Sequence, residues 1–231
     1  MKVDKSTHRT RLTIIWKILY VFVSVELIQI SMNWFPKFKL NCLIDFGFSS
    51  GWLYEPVDSW TETYDAATEK SNICFQLYND DDQQTEDCLF LSVFTPQTST
   101  SSNITYPVFF NIHGGGFYGG SGTLASGISP KYLLEEDVIV VIFNYRLTAL
   151  GFLSTGNEVI PGNAGLTDQV LALKWIQRNI AAFGGDPQRV TIAGQSAGAK
   201  SVGYLILSPL ATGTKFPSLK ENLHNGSLLG L

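Results

Sequence analysis

Apolar and polar positions along the 231-residue chain fall into two rhythms, both concentrated after residue 88. Residues 89–94 (LFLSVF) and 107–112 (PVFFNI) are short apolar runs rich in aromatic or β-branched side chains, which predicts strands. Residues 138–143 (VIVVIF) form the strongest strand signal, and its unbroken hydrophobicity predicts cover on both faces, as in a parallel sheet. In 165–183 (GLTDQVLALKWIQRNIAAF), Leu166, Val170, Leu173, Ile176 and Ile180 recur at spacings of three and four. That spacing draws one apolar stripe along a helix. Gly184-Gly185-Asp186-Pro187 stops it. A further strand follows at 190–193 (VTIA) and a further helix at 197–207. Strands and helices alternating through tight turns predict an α/β sheet. By contrast, 76–87 (QLYNDDDQQTED) is polar and acidic, a solvated loop between Cys74 and Cys88, and 36–53 shows no periodicity from which an element follows.

The first 35 residues follow another pattern. Lys2, Lys5, Arg9 and Arg11 precede an apolar segment that contains Lys17, and 18–25 (ILYVFVSV) is an unbroken apolar run closed by Glu26. A basic stretch before a short apolar run matches a secretory signal, and it falls short of the 18 or more apolar residues of a membrane span. Two readings stay open for 1–35: a signal or signal-anchor, and a buried or mis-assigned segment. The first makes the protein secreted, or membrane-anchored on the extracellular side, with a membrane as partner only if the segment stays uncleaved. Asn103-Ile104-Thr105 and Asn225-Gly226-Ser227 are glycosylation sequons that agree with secretion, although such tripeptides also arise by chance.

Composition narrows the function classes. Apolar residues make up 45% of the chain, which excludes disorder for most of it, and charged residues only 16%, below the roughly 25% usual for soluble domains. A net charge of -4 with pI near 5.3 argues against nucleic acid as a partner. Of Cys42, Cys74 and Cys88, one must stay outside any internal disulfide. With no CxxC pair and no His/Cys cluster, the sequence implies no metal site.

Two motifs carry chemistry. Gly194-Gln195-Ser196-Ala197-Gly198 fits GxSxG, and it falls between a β-branched strand and a helix. A serine on such a turn is thrust outward on a strained backbone, glycines two residues away let strand and helix pass closely, and the helix points its free N–H groups at the reaction centre. The bland alternative is a glycine-flanked turn. Upstream, the strand at 107–112 runs into His113-Gly114-Gly115-Gly116-Phe117 and then Tyr118-Gly119-Gly120. Glycines let backbone N–H groups approach a ligand unobstructed, and such donors stabilise a tetrahedral oxyanion by about 3–4 kcal/mol each. A flexible linker or a phosphate loop is the competing reading; the latter needs GxxxxGK[ST], which is absent. His113 itself reads as structural rather than catalytic.

With these motifs the chain resembles the type-B carboxylesterase and cholinesterase family. The match runs through 86–96 (EDCLFLSVFTP), 113–120 (HGGGFYGG), 144–153 (NYRLTALGFL), 161–169 (PGNAGLTDQ), 173–187 and the elbow, with a looser match at 56–76. The resemblance implies an α/β-hydrolase fold, here a partial, mostly parallel sheet with flanking helices, in which 36–213 is the N-terminal part of the domain and 214–231 a divergent tail. It implies that Ser196 is the nucleophile of a carboxylic-ester hydrolase, that the N–H groups of Gly115, Gly116 and Ala197 form the oxyanion hole, and that Cys74 pairs with Cys88 while Cys42 stays free. A small-molecule ester is the implied substrate, with no metal or organic cofactor. Residues 75–87 lack the Trp that the cholinesterase branch carries there, so an insect-type general carboxylesterase is the better match.

The pattern also breaks. Serine needs a general base and an orienting acid, which in α/β-hydrolases follow in the order Ser, acid, His. After Ser196 the sequence holds one His, His224, and one acid, Glu221. A further strand–helix–strand step takes roughly 30 residues, more than 209–231 supply. The expectation is a truncated chain without triad acid and His, inactive as given, with His224 a solvated tail residue; the alternative is a non-catalytic, cholinesterase-like adhesion or binding protein. Ser50 falls where the family has an arginine facing the position of Glu86, Thr148 where it usually has Gly, and Lys200 is a further departure.

Overall fold

A computed structural model describes residues 72–77, 84–96, 105–124 and 129–211 in full and, outside them, the backbone of eight strands. The strands are β1 (Thr13–Lys17), β2 (Tyr20–Val23), β3 (Leu40–Asp45), β4 (Phe48–Ser50), β5 (Leu53–Glu55), β6 (Thr63–Asp65), β7 (Phe90–Thr95), β8 (Tyr106–Ile112), β9 (Ile139–Phe143), β10 (Gly185–Gln195), β11 (Glu221–His224) and β12 (Ser227–Gly230). The helices are α1 (Lys131–Glu135), α2 (Thr148–Phe152), α3 (Ala164–Asn179) and α4 (Ala197–Leu207). Of the first 35 residues only the backbone of β1 and β2 is described, and Asn103, Asn225 and the side chain of Cys42 lie outside the described residues. No helix among the described residues is long and apolar enough to cross a membrane.

The main sheet has the order β11-β12-β10-β8-β9-β7-β3. Its centre, β10-β8-β9, is parallel, and the strands outside it join antiparallel. The apolar run at 138–143 becomes β9, buried at all five positions because it has a strand on each edge and helices over both faces. Alternation sends its side chains to two cores. Ile139, Val141 and Phe143 join Phe110 and Ile112 of β8 and Leu173 and Ile176 of α3, with Phe143 stacked on Phe110 at 4.5 Å. Val140 and Ile142 pack with Phe94 and with Leu134 of α1 on the opposite face. Full burial of each such side chain stabilises the fold by roughly 1.5–3 kcal/mol.

α3 buries Val170, Leu173 and Ile176 as its periodicity predicts, Leu166 is half-buried, and a 3-10 turn, Ile180–Phe183, buries Ile180. Gly184 then ends the element in the left-handed region (φ 79°). The buried surface is wider than one stripe: Asp168, Gln169, Leu171 and Ala172 are also enclosed, because α3 packs against α2 and α4 as well as the sheet. β10 likewise begins earlier than the 190–193 run suggests. Gly185 already pairs with Tyr106, and an irregularity absorbs the extra residues before Val190 meets Val108. The parallel register then sets Gly194 beside Ile112 and Asn111 beside Ile142, so β8, β9 and β10 release their carboxyl ends side by side. Clefts of α/β sheets form at such ends.

Candidate active site

β10 turns into α4 through one residue, Ser196, at φ 58° and ψ −116°. A residue with a side chain pays of order 1–3 kcal/mol to sit there. The turn is forced because α4 folds back tightly over the sheet. A Cβ on Gly198 would lie 2.0 Å from the Ile112 carbonyl oxygen, and one on Gly194 2.3 Å from the Gly198 carbonyl carbon. Only glycine fits at either place. The Ser196 side chain is exposed, and the N–H of Ala197 opens the first turn of α4.

The glycine loop rides directly over this elbow. A Cβ on Gly114 would stand 2.5 Å from Gln195 Oε1 and 3.3 Å from the Ser196 Cβ. The loop doubles back on itself: the N–H groups of Tyr118 and Gly119 both donate to the Gly115 carbonyl, at 3.1 and 3.0 Å. Gly115 and Gly116 adopt φ 108° and 63°. Among the described residues nothing accepts a hydrogen bond from the N–H groups of Gly115, Gly116 or Ala197, and the Ser196 hydroxyl has no partner.

Peptide planarity turns carbonyl contacts into N–H orientation. His113 Nδ1 donates to the Gly114 carbonyl at 2.8 Å, which aims the Gly115 N–H of the same peptide unit the other way. A carbonyl only accepts, so Nδ1 carries the proton, and buried Nε2 has no partner among the described residues. Burial lowers the His113 pKa from 6.5 to about 4, with the Gly114 contact opposing that shift. Its ring stacks on Tyr145 at 4.2 Å, and the Tyr145 hydroxyl donates to the His113 carbonyl at 2.9 Å. Burial pushes the phenol pKa up. His113 is thus held inside the loop's scaffold.

Three residues following β9 brace the site from below. Asn144 Oδ1 accepts from the Gly122 N–H at 2.7 Å, and its Nδ2 donates to the Asn72 and Cys88 carbonyls, both at 2.9 Å. Tyr145 holds His113 as described. Arg146 meets Asp168 of α3 through Nε–Oδ2 at 2.8 Å and Nη2–Oδ1 at 2.7 Å, and its own N–H adds a third bond to Oδ2 at 3.0 Å. Both side chains are buried. Burial raises the Asp168 pKa, and the hydrogen bonds and charge of Arg146 pull it back down. This brace is not visible in hydrophobic periodicity, although three polar residues directly after a fully apolar strand are its trace in the sequence.

The carboxylesterase family model matches residues 54–217. The chain belongs to the carboxylesterase family. Esterase FE4 of Myzus persicae is 55% identical over 131 residues, covering 55% of this chain and 23% of the relative. Juvenile hormone esterase of Tribolium castaneum is 45% identical over 163 residues, covering 69% of this chain and 27% of the relative. A crystal structure of juvenile hormone esterase from Manduca sexta, with OTFP covalently attached, superposes with a TM-score of 0.64 at 40% identity, over 74% of this chain and 32% of that one. The chain therefore spans about a quarter of the length of the curated relatives it matches. The fold is the α/β-hydrolase fold of these esterases.

As the resemblance implies, Cys74 and Cys88 are joined in a disulfide. Thr148 sits at φ 56°, where a β-branched residue is strained and glycine is not, which accounts for the family's preference there. Its N–H donates to the Phe117 carbonyl at 2.8 Å, adding a tether to the loop. Glu86 is exposed. His224 ends β11 opposite Ser227, itself opposite Gln195, with only the backbone described. No group of His, Cys, Asp and Glu among the described residues is arranged to hold a metal ion. The stretch read as a mere solvated loop, 76–87, also holds Gln76, which is half-buried and bonded to the glycine loop.

Proposed function

We propose that this chain carries the nucleophile and oxyanion hole of a carboxylic-ester hydrolase. The observation that supports this best is Ser196, exposed on a strained elbow under a glycine loop whose Gly115 and Gly116 N–H groups have no partner among the described residues. Ser196 Oγ attacks the carbonyl carbon of a small-molecule ester, its proton passing to a general base. The N–H groups of Gly115, Gly116 and Ala197 receive the developing oxyanion, each donor contributing about 3–4 kcal/mol. The alcohol leaves, and water hydrolyses the acyl-enzyme.

The base is not among the described residues, since His113 is committed to the Gly114 carbonyl. The 231-residue chain is accordingly expected to turn over a p-nitrophenyl ester negligibly while still reacting once at Ser196. The oxyanion hole and substrate binding together retain about 10³-fold acceleration in serine hydrolases that have lost a triad member. An alkyl fluorophosphonate, losing fluoride as the Oγ–P bond forms, should therefore label Ser196 faster in the folded chain than in urea. Mass spectrometry locates the adduct, and Ser196→Ala abolishes it. Labelling no faster than in the unfolded chain overturns the reading in favour of a non-catalytic binding protein. Sustained turnover lost in Ser196→Ala would overturn the inactivity claim alone.

We further propose secretion, which the Cys74–Cys88 disulfide supports, since such bonds persist in oxidising compartments. Expression through a secretory pathway, with glycosidase-sensitive mass on Asn103 and Asn225, checks it. Retention of the unglycosylated chain inside the cell counts against it.

A further inference from the structure

We infer that Gln76 is a positioning residue for the oxyanion donors, acting from inside the disulfide loop; this rests on the oxyanion role proposed above. Its side-chain amide embraces one residue of the glycine loop. Oε1 accepts from the Gly120 N–H at 2.9 Å, and Nε2 donates to the Gly120 carbonyl at 3.4 Å and to the Cys74 carbonyl at 3.3 Å. The next residue adds a backbone bond, Leu77 N–H to the Tyr118 carbonyl at 2.9 Å. Gln76 is itself tethered, its N–H donating to Gln84 Oε1 at 2.9 Å across the loop that the Cys74–Cys88 disulfide closes.

What Gln76 grips is the returning arm of the glycine loop. That arm supplies the Tyr118 and Gly119 N–H groups that hold the Gly115 carbonyl. The Gly115 carbonyl and the Gly116 N–H belong to one planar peptide, so fixing the first aims the second. Both glycines have positive φ, and glycine peptides flip at small steric cost, so the direction must be imposed from outside. The chain of restraint runs from Gln76 through Gly120 and Tyr118 to the Gly115–Gly116 peptide.

The full 231-residue chain, with two substitutions at Gln76, tests this. Gln76→Met keeps the size and loses both hydrogen-bonding functions; Gln76→Glu keeps the acceptor for the Gly120 N–H. Amide exchange of the peptide covering 113–121 should accelerate about tenfold in the Met variant while β9 and β10 keep their protection, and the Glu variant should lie nearer wild type. Fluorophosphonate labelling of Ser196 should slow about tenfold in the Met variant, the size expected for a misdirected donor. Unchanged exchange at 113–121 in the Met variant overturns the inference, as does faster exchange spread equally over β9 and β10, which marks general destabilisation. Exchange confined to the loop with no labelling of Ser196 even in wild type would leave the scaffold standing and overturn its role in positioning oxyanion donors.

Discussion

At the residue scale, His113 shows how one side chain can serve architecture at the edge of a proposed reactive centre. Its Nδ1–H holds the Gly114 carbonyl while buried Nε2 has no partner among the described residues, so the ring is needed neutral. Burial moves its pKa from 6.5 down to about 4. In the unfolded chain the imidazole takes a proton near pH 6.5, whereas in the folded chain it resists protonation until about pH 4. Stability from this group is thus complete above pH 6.5 and is lost as the pH falls through that window. Urea unfolding at pH 7 and pH 5 should differ by about 2 kcal/mol from His113 alone. In His113→Asn, compared at the same two pH values, that increment should vanish; a variant that keeps the full pH dependence would show that other groups cause it. Thr148 illustrates the opposite economy. It holds a φ of 56° while its N–H donates to the Phe117 carbonyl. Thr148→Gly should stabilise the chain by about 1 kcal/mol in the same assay, because the left-handed conformation costs a β-branched residue more than glycine's added chain entropy. A loss of stability would mean that the threonine side chain contributes something the strain argument omits.

At the scale of elements, the parts that bury themselves by periodicity were legible and the polar ones between them were not. β7, β8, β9 and α4, and α3 taken with the 3-10 turn that follows it, fall within a residue or two of where their apolar positions predict, because each has a face that must leave water. The elbow was legible for a different reason: GxSxG encodes a steric demand, and the 2.0 Å approach between a Gly198 Cβ and the Ile112 carbonyl is that demand. Asp168 and Gln169 were hidden because an acid and an amide on a helix read as solvated face until a partner is known. The partner of Asp168 is Arg146, 22 residues away on the segment after β9, and Gln169 donates to the Ser201 hydroxyl of α4. Removing one member leaves the other charge buried, which costs more than the pair contributes. Asp168→Asn should therefore destabilise by about 3–5 kcal/mol, detected as a lower urea midpoint. The double substitution Arg146→Met with Asp168→Leu should cost much less than the two single effects added. A double variant as unstable as their sum would mean that the two side chains contribute independently, through contacts other than the pair.

For the whole molecule, the Cys74–Cys88 disulfide makes the same question quantitative, because it joins two segments that contact different parts of the site. Cys88 precedes β7 and offers its carbonyl to Asn144; Cys74 offers its own to Gln76. Closing a ring over a sequence separation of 14 lowers the entropy of the unfolded chain by the equivalent of about 3 kcal/mol in the loop-closure account. Both cysteines are also buried, so part of any loss on substitution could come from packing instead. The two causes differ in how they add. If ring closure dominates, Cys74→Ala, Cys88→Ala and the double substitution each break the same ring and should lose the same, about 3 kcal/mol, or roughly 6–12 °C in Tm for a chain of this size. If packing dominates, the two single losses should sum in the double variant, as independent sites do. Equal losses would place the stabilisation in the denatured ensemble. Additive losses would refute ring closure as its source and return it to the contacts that Cys74 and Cys88 make beneath the glycine loop.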